Sequence, residues 1–142
     1  MRRAEDVNCR LEEGYAMLSM NLMGVYPPEA HVSAWQRTAI YNREDGTVQL
    51  IDVFDLSAFE TVRFHFITPC KPVLGERFAQ LGPVRLRWEE GLTAVSEELK
   101  ITGDQWTRLW GDTLYRLVLT TAEPVNGGQY TFNLNALRTF GG

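Results

Sequence analysis

Long apolar runs, basic charge and the common catalytic motifs are scarce in this 142-residue sequence. No apolar stretch approaches the roughly 20 residues a helix needs to cross a bilayer, so no membrane partner is expected. The opening Met1-Arg2-Arg3-Ala4-Glu5-Asp6 has two basic residues but no apolar signal core behind them. The two cysteines, Cys9 and Cys70, could pair only once. Nothing in their spacing requires that pairing, and both lie beside apolar strand residues, so two buried thiols are expected. A nucleophile elbow, a phosphate loop and a Cys/His zinc pattern are all missing. With 14 Lys and Arg against 18 Asp and Glu, the net charge is −4. Surfaces that bind nucleic acid are usually basic, because phosphate neutralisation dominates their affinity. No nucleic-acid partner is expected.

What is present is alternation. The composition, 44% hydrophobic and 23% charged, is that of a folded domain, and the length fits a single core over residues 1–142. Val7, Cys9 and Leu11 alternate with polar residues as a first strand, and Tyr15 to Leu22 continues extended. Tyr26-Pro27-Pro28-Glu29 forms a loop, since two prolines remove ladder donors. Val32 to Asn42 and Thr47 to Phe54 make a hairpin around Arg43-Glu44-Asp45-Gly46. Counting outward from Asn42 and Thr47 sets Tyr41 against Val48, Ala39 against Leu50, Arg37 against Asp52, and Trp35 against Phe54. Further strands are read at Val62 to Ile67, Val84 to Glu89, Leu92 to Leu99 and Leu114 to Thr121. Asn126-Gly127-Gly128 is then read as a turn into Gln129 to Leu134. Short strands at this spacing predict an all-β fold, an antiparallel two-sheet β-sandwich.

Few side chains in this pattern suggest chemistry. Glu12-Glu13, Glu89-Glu90 and Glu97-Glu98 are adjacent pairs, and neighbours in a strand point to opposite faces, so none can share a proton. Asp52 has apolar same-face neighbours in Leu50 and Phe54. A buried aspartate needs a partner, and Arg37 supplies it as a structural ion pair. His65 within its strand reads as structural. His31, in the loop after Pro28, reads as exposed and without nearby ligands, a poor metal site. No metal or cofactor is expected. Trp88 shares the alternation of Val84 and Leu86 and belongs to the core. Arg85 and Arg87 share the opposite face with Glu89, which interrupts any simple basic stripe. Trp106 and Trp110, four apart in a Gly-flanked segment, are the candidate carbohydrate-binding residues. Their competing role is to plug the open end of the sandwich, and buried aromatics are the commoner case.

Several segments resemble one family. Tyr26-Pro27-Pro28-Glu29-Ala30, Trp35-Gln36-Arg37-Thr38, Asp52-Val53-Phe54 and His65-Phe66-Ile67-Thr68 look like the C-terminal β-sandwich region of heparinase II/III-like proteins. Trp110-Gly111-Asp112-Thr113-Leu114-Tyr115-Arg116-Leu117-Val118-Leu119 resembles that region's late strand. The likeness runs from about Leu18 to about Phe132, and it rests on the order of the segments. Such proteins join an α/α-toroid to β-sandwich domains and act as polysaccharide lyases on uronic-acid glycans. The resemblance implies that their Tyr and His catalytic groups, and a metal site in some members, lie largely in the toroid and the segment just after it. This sequence has neither part, so no catalytic residue is carried over to Tyr26, Tyr115 or His65.

The expected role is therefore a non-catalytic accessory domain, excised from the C-terminal part of a larger protein. Its expected partners are a neighbouring catalytic domain of the same protein and a uronic-acid polysaccharide. A Met start and a Gly-Gly end suit that excision. Two alternatives stay open. One is a carbohydrate-binding module built on Trp106 and Trp110; the other is an interdomain or self-associating scaffold, which would expose an apolar patch near the N-terminal strands.

Overall fold

The computed structural model describes residues 5–22, 29, 31–100 and 113–136. Among them eleven strands and no α-helix are found. They are β1 (Glu5–Leu11), β2 (Tyr15–Asn21), β3 (Val32–Asn42), β4 (Val48–Glu60), β5 (Arg63–Thr68), β6 (Val73–Gly75), β7 (Phe78–Leu81), β8 (Val84–Arg87), β9 (Leu92–Lys100), β10 (Thr113–Thr121) and β11 (Val125–Ala136). Eight form one antiparallel sheet in the order β1-β2-β3-β4-β11-β8-β7-β6, and three form a second, β5-β10-β9. The two-sheet all-β architecture is the one the alternation predicts.

The predicted register of the long hairpin holds at each position. Trp35 pairs with Phe54, Arg37 with Asp52, Ala39 with Leu50 and Tyr41 with Val48. Because side chains repeat every two residues, one face of this ribbon must enter the core. On β11, Tyr130 aligns with Asp52 and Phe132 with Leu50, extending the same face. Opposite it stand Phe64 and Phe66 of β5 and Leu117 and Leu119 of β10. The contact is largely aromatic. The Phe64 and Phe132 rings lie 5.0 Å apart and those of Phe66 and Phe132 5.3 Å apart, with Trp35 stacked on Phe54 at 4.4 Å. Tilted and offset rings of this kind contribute about 0.5–1.5 kcal/mol each beyond their buried area. Trp88 is buried in the same core, as its alternation predicts.

Four expectations are corrected. Asn126-Gly127-Gly128 is not a turn: Gly127 and Gly128 lie inside β11, which pairs with β4 across a bulge between Val125 and Gly127. Gly127 is needed for close approach, since a Cβ there would meet Asp55 Oδ1 and the Phe54 carbonyl at 3.0 Å. The chain turns earlier, at 122–124, as it passes from the small sheet to the large one. Next, β6 and β7 lie between the strands read at Val62 to Ile67 and Val84 to Glu89, where no strand is predicted. They are strands of three and four residues, too short to show a period. Third, Val84's strand stops at Arg87, so Glu89 and Glu90 belong to the connection into β9 rather than to a strand. Finally, the cysteines are free but not both buried: Cys70 is half-buried and Cys9 is exposed, because β1 is an edge strand that the small sheet does not cover.

Candidate functional site

Asp52 is the one fully buried carboxylate among the described residues. Its Oδ1 accepts from Arg37 Nε at 2.8 Å and from Trp35 Nε1 at 2.9 Å, and its Oδ2 from Arg37 Nη2 at 3.2 Å. The predicted ion pair is present, and Trp35 adds a third donor that the strand register alone did not suggest. With three donors on two oxygens, the desolvated charge is compensated. A carboxylate so occupied is a structural element. The Arg37 side chain is 38% exposed and that of Asp52 0%, so the pair spans from core to solvent.

At one end of the sandwich a cavity of about 270 Å³ is bordered by Val32, Leu56 and Val62, the edge of Trp35, and the charged Glu60 and Arg63. His31 stands beside it in the left-handed region, at φ 59°. A non-glycine residue held there needs local support. Its carbonyl accepts from Ser57 N at 2.8 Å and from Ser57 Oγ at 3.3 Å, while its Nδ1 lies 2.7 Å from Glu60 Oε1. His31, expected to lack nearby ligands, has Glu60 beside it in the fold, 29 residues away. No local signal could reveal that partner, because it depends on where β4 ends. Both side chains are largely exposed, so the pair is worth at most about 1 kcal/mol. It fastens the entry to β3 onto the end of β4. Among the described residues no group of three or more His, Cys, Asp or Glu could hold a metal ion.

The remaining candidates are dispersed. His65 is exposed on the outer face of the small sheet. Glu97 and Glu98 diverge as adjacent strand residues must, Glu97 towards Arg116 at 3.5 Å and Glu98 towards Lys100 at 2.8 Å. Trp106 and Trp110 lie outside the described residues.

A different feature emerges along β1, β2 and β3. The core face of the large sheet continues past the small sheet through Ala39 to Leu18 and Cys9, and through Tyr41 to Ala16 and Leu11. Cys9, Ala16, Leu18, Ala39, Tyr41 and Val48 border a depression of about 160 Å³. Leu11 is 70% exposed and Tyr41 45%. Among the described residues, eight strands backed by three leave this apolar flank without an opposing layer.

The fold is similar to that of heparan sulfate lyase HepC from Pedobacter heparinus, with a TM-score of 0.66 at 10% identity over 96% of this chain and 22% of that one. A mutant of that lyase gives 0.69 at 11% identity with the same coverage. A heparinase III gene product gives 0.64 at 13% identity, over 94% of this chain and 22% of that chain. No protein-family model and no curated protein matches the sequence. The chain thus spans about a fifth of the length of these solved structures, and what it shares with them at such identity is the fold.

Proposed function

We propose that this chain is a non-catalytic accessory β-sandwich of a polysaccharide lyase of the heparinase II/III-like kind, acting on uronic-acid glycans, and that it buttresses a catalytic domain in the same protein. The observation that carries this reading is coverage: nearly the whole chain superposes on about a fifth of each lyase. The residues agree with it. Asp52 is consumed by structural donors, His31 and Glu60 pair in solvent, and Glu97 and Glu98 turn to different cationic partners. The apolar flank from Leu11 to Tyr41 is a suitable seat for the buttressed domain, since sheet faces of this kind are stable when covered.

The experiment is to read the frame upstream of Met1 in the encoding genome and to assay the purified 142-residue chain on heparan sulfate. An α/α-toroid in the same frame, with no unsaturated-uronate absorbance generated by the chain alone, is expected. A stop codon directly before Met1, or clear turnover by the chain, would overturn the reading.

A further inference from the structure

On the other face of the large sheet, far from Asp52 in chemistry, a cavity of about 360 Å³ is bordered by Arg77, Arg85 and Arg87 together with Glu76, Phe78 and Trp88. Three guanidiniums against one carboxylate are notable in a chain whose net charge is −4. Local geometry gathers them. Gly75 pairs with Phe78, so Glu76 and Arg77 form a two-residue turn, and Arg77 takes the left-handed conformation at φ 60°. The Arg77 carbonyl accepts from Trp88 N at 3.0 Å, tying this turn to the end of β8. Gly75 permits the turn because a Cβ there would collide with the Phe78 ring.

Arg85 is the informative member. Its guanidinium carbon lies 4.7 Å from the centre of the Phe78 ring, which orients the plane. Its Nε is buried and has no hydrogen-bond partner among the described residues. Buried polar groups are nearly always paired, so an orphan donor beside a cavity marks a missing acceptor. Glu89, expected in this row from the alternation, lies after the end of β8 and does not border the cavity. Arg77 has a facing carboxylate in Glu90, but at 3.6 Å between two exposed side chains. The basic row is therefore less neutralised than the sequence implied.

Register supplies neighbours of another kind. Arg87 pairs with Phe78 on one side and Asn133 on the other, and Asn135 lies opposite Arg85. Gln80 also faces Arg85, and Gln49 faces Asn133. Amides that both donate and accept suit sugar hydroxyls, while guanidinium forks suit planar or tetrahedral oxyanions.

We infer that the Arg77, Arg85 and Arg87 cavity binds the carboxylate or sulfate of an acidic glycan, with the Asn133 and Asn135 strip contacting the adjoining sugar. The anion site stands on its own geometry; the choice of a glycan as its bearer rests on the accessory-domain reading. The test is a titration of the 142-residue chain, followed by Trp fluorescence and calorimetry, with a heparan-sulfate tetrasaccharide, cellotetraose, inorganic sulfate and a single-stranded DNA oligonucleotide. The tetrasaccharide is expected to bind saturably, more weakly at higher salt, and about tenfold or more tighter than sulfate, while cellotetraose does not saturate. Arg85→Gln and Arg87→Gln are each expected to lower its affinity by about tenfold or more. Arg87 is exposed, so that variant keeps the fold, as an unchanged circular dichroism spectrum will register. Absence of saturable tetrasaccharide binding, an Arg87→Gln affinity within about twofold of the parent, equal binding of inorganic sulfate, or tighter binding of the oligonucleotide would each overturn the proposal. A toroid upstream with no binding here would discard this cavity and keep the accessory role; binding without a toroid would do the reverse.

Discussion

Asp52 and Leu11 belong to the core-facing side of the same sheet, yet one is fully buried beneath the small sheet and the other is 70% exposed at its edge. Around Asp52 the rings of Trp35, Phe54 and Tyr130 each face Phe64 of β5, and the charge has three donors. Along β1 and β2 the same alternation continues with nothing opposite among the described residues. Strand pairing requires only the neighbouring backbone, whereas burial of a face requires a second layer. The difference teaches that alternation orders a face without burying it, and the proposed function assigns a covering partner to β1 and β2.

The comparison can be broken by substitution. The largest effect is expected from Asp52→Ala, which leaves the Arg37 and Trp35 donors facing an apolar gap. Loss of about 3–5 kcal/mol is expected from urea denaturation, and a loss below about 1 kcal/mol would mean that the buried pair is not closed to water. Phe132→Ala removes the ring that touches both Phe64 and Phe66. It is expected to cost a similar amount, about 3–5 kcal/mol, with a lowered thermal midpoint.

Two pH effects are smaller. Burial, and then the charge of Glu89, raise the Tyr130 hydroxyl above its usual range. The folded form therefore holds its proton longer than the unfolded one, and stability present below about pH 10 is lost as pH rises through the folded value. Urea midpoints for Tyr130→Phe are expected to fall less than those of the parent over that alkaline window; equal slopes would remove Tyr130 from the account. Asp45 shifts the other way, because Thr47 N at 3.0 Å and Thr47 Oγ1 at 2.7 Å donate to its carboxylate. Its contribution is present above the usual carboxylate pKa and is lost as pH falls through the lower folded value. Asp45→Asn is expected to flatten the acid side of the stability profile slightly. Smallest of all, Leu11→Ser is expected to change the stability of the isolated chain by no more than about 0.5 kcal/mol. A cost like that of Phe132→Ala would show the flank to be covered already.

Much of the sandwich was legible because period-two patterns are long there. The eleven residues of β3 and the turn at Asp45 and Gly46 leave one register that sets Trp35, Ala39, Leu50 and Phe54 on one face, with Trp35 and Phe54 buried. The Arg37–Asp52 pair follows from the same count. Short strands were not legible, since Val73–Gly75 and Phe78–Leu81 hold too few residues to display a period. The glycines of β11 misled for a related reason: a Gly pair signals a turn locally, and only the approach of Asp55 explains it within a strand. The proposed binding face was half visible. Arg85 and Arg87 could be set on one face, but Arg77 and the departure of Glu89 could not.

Alternation along each strand was enough to decide which side chains turn inward, because the pleat admits no other choice once a face is buried. Packing in three dimensions alone decided where Trp35 reaches Asp52, where Glu60 meets His31, and where the small sheet stops short of β1. Those outcomes depend on distances between residues far apart in the chain, which no local pattern encodes.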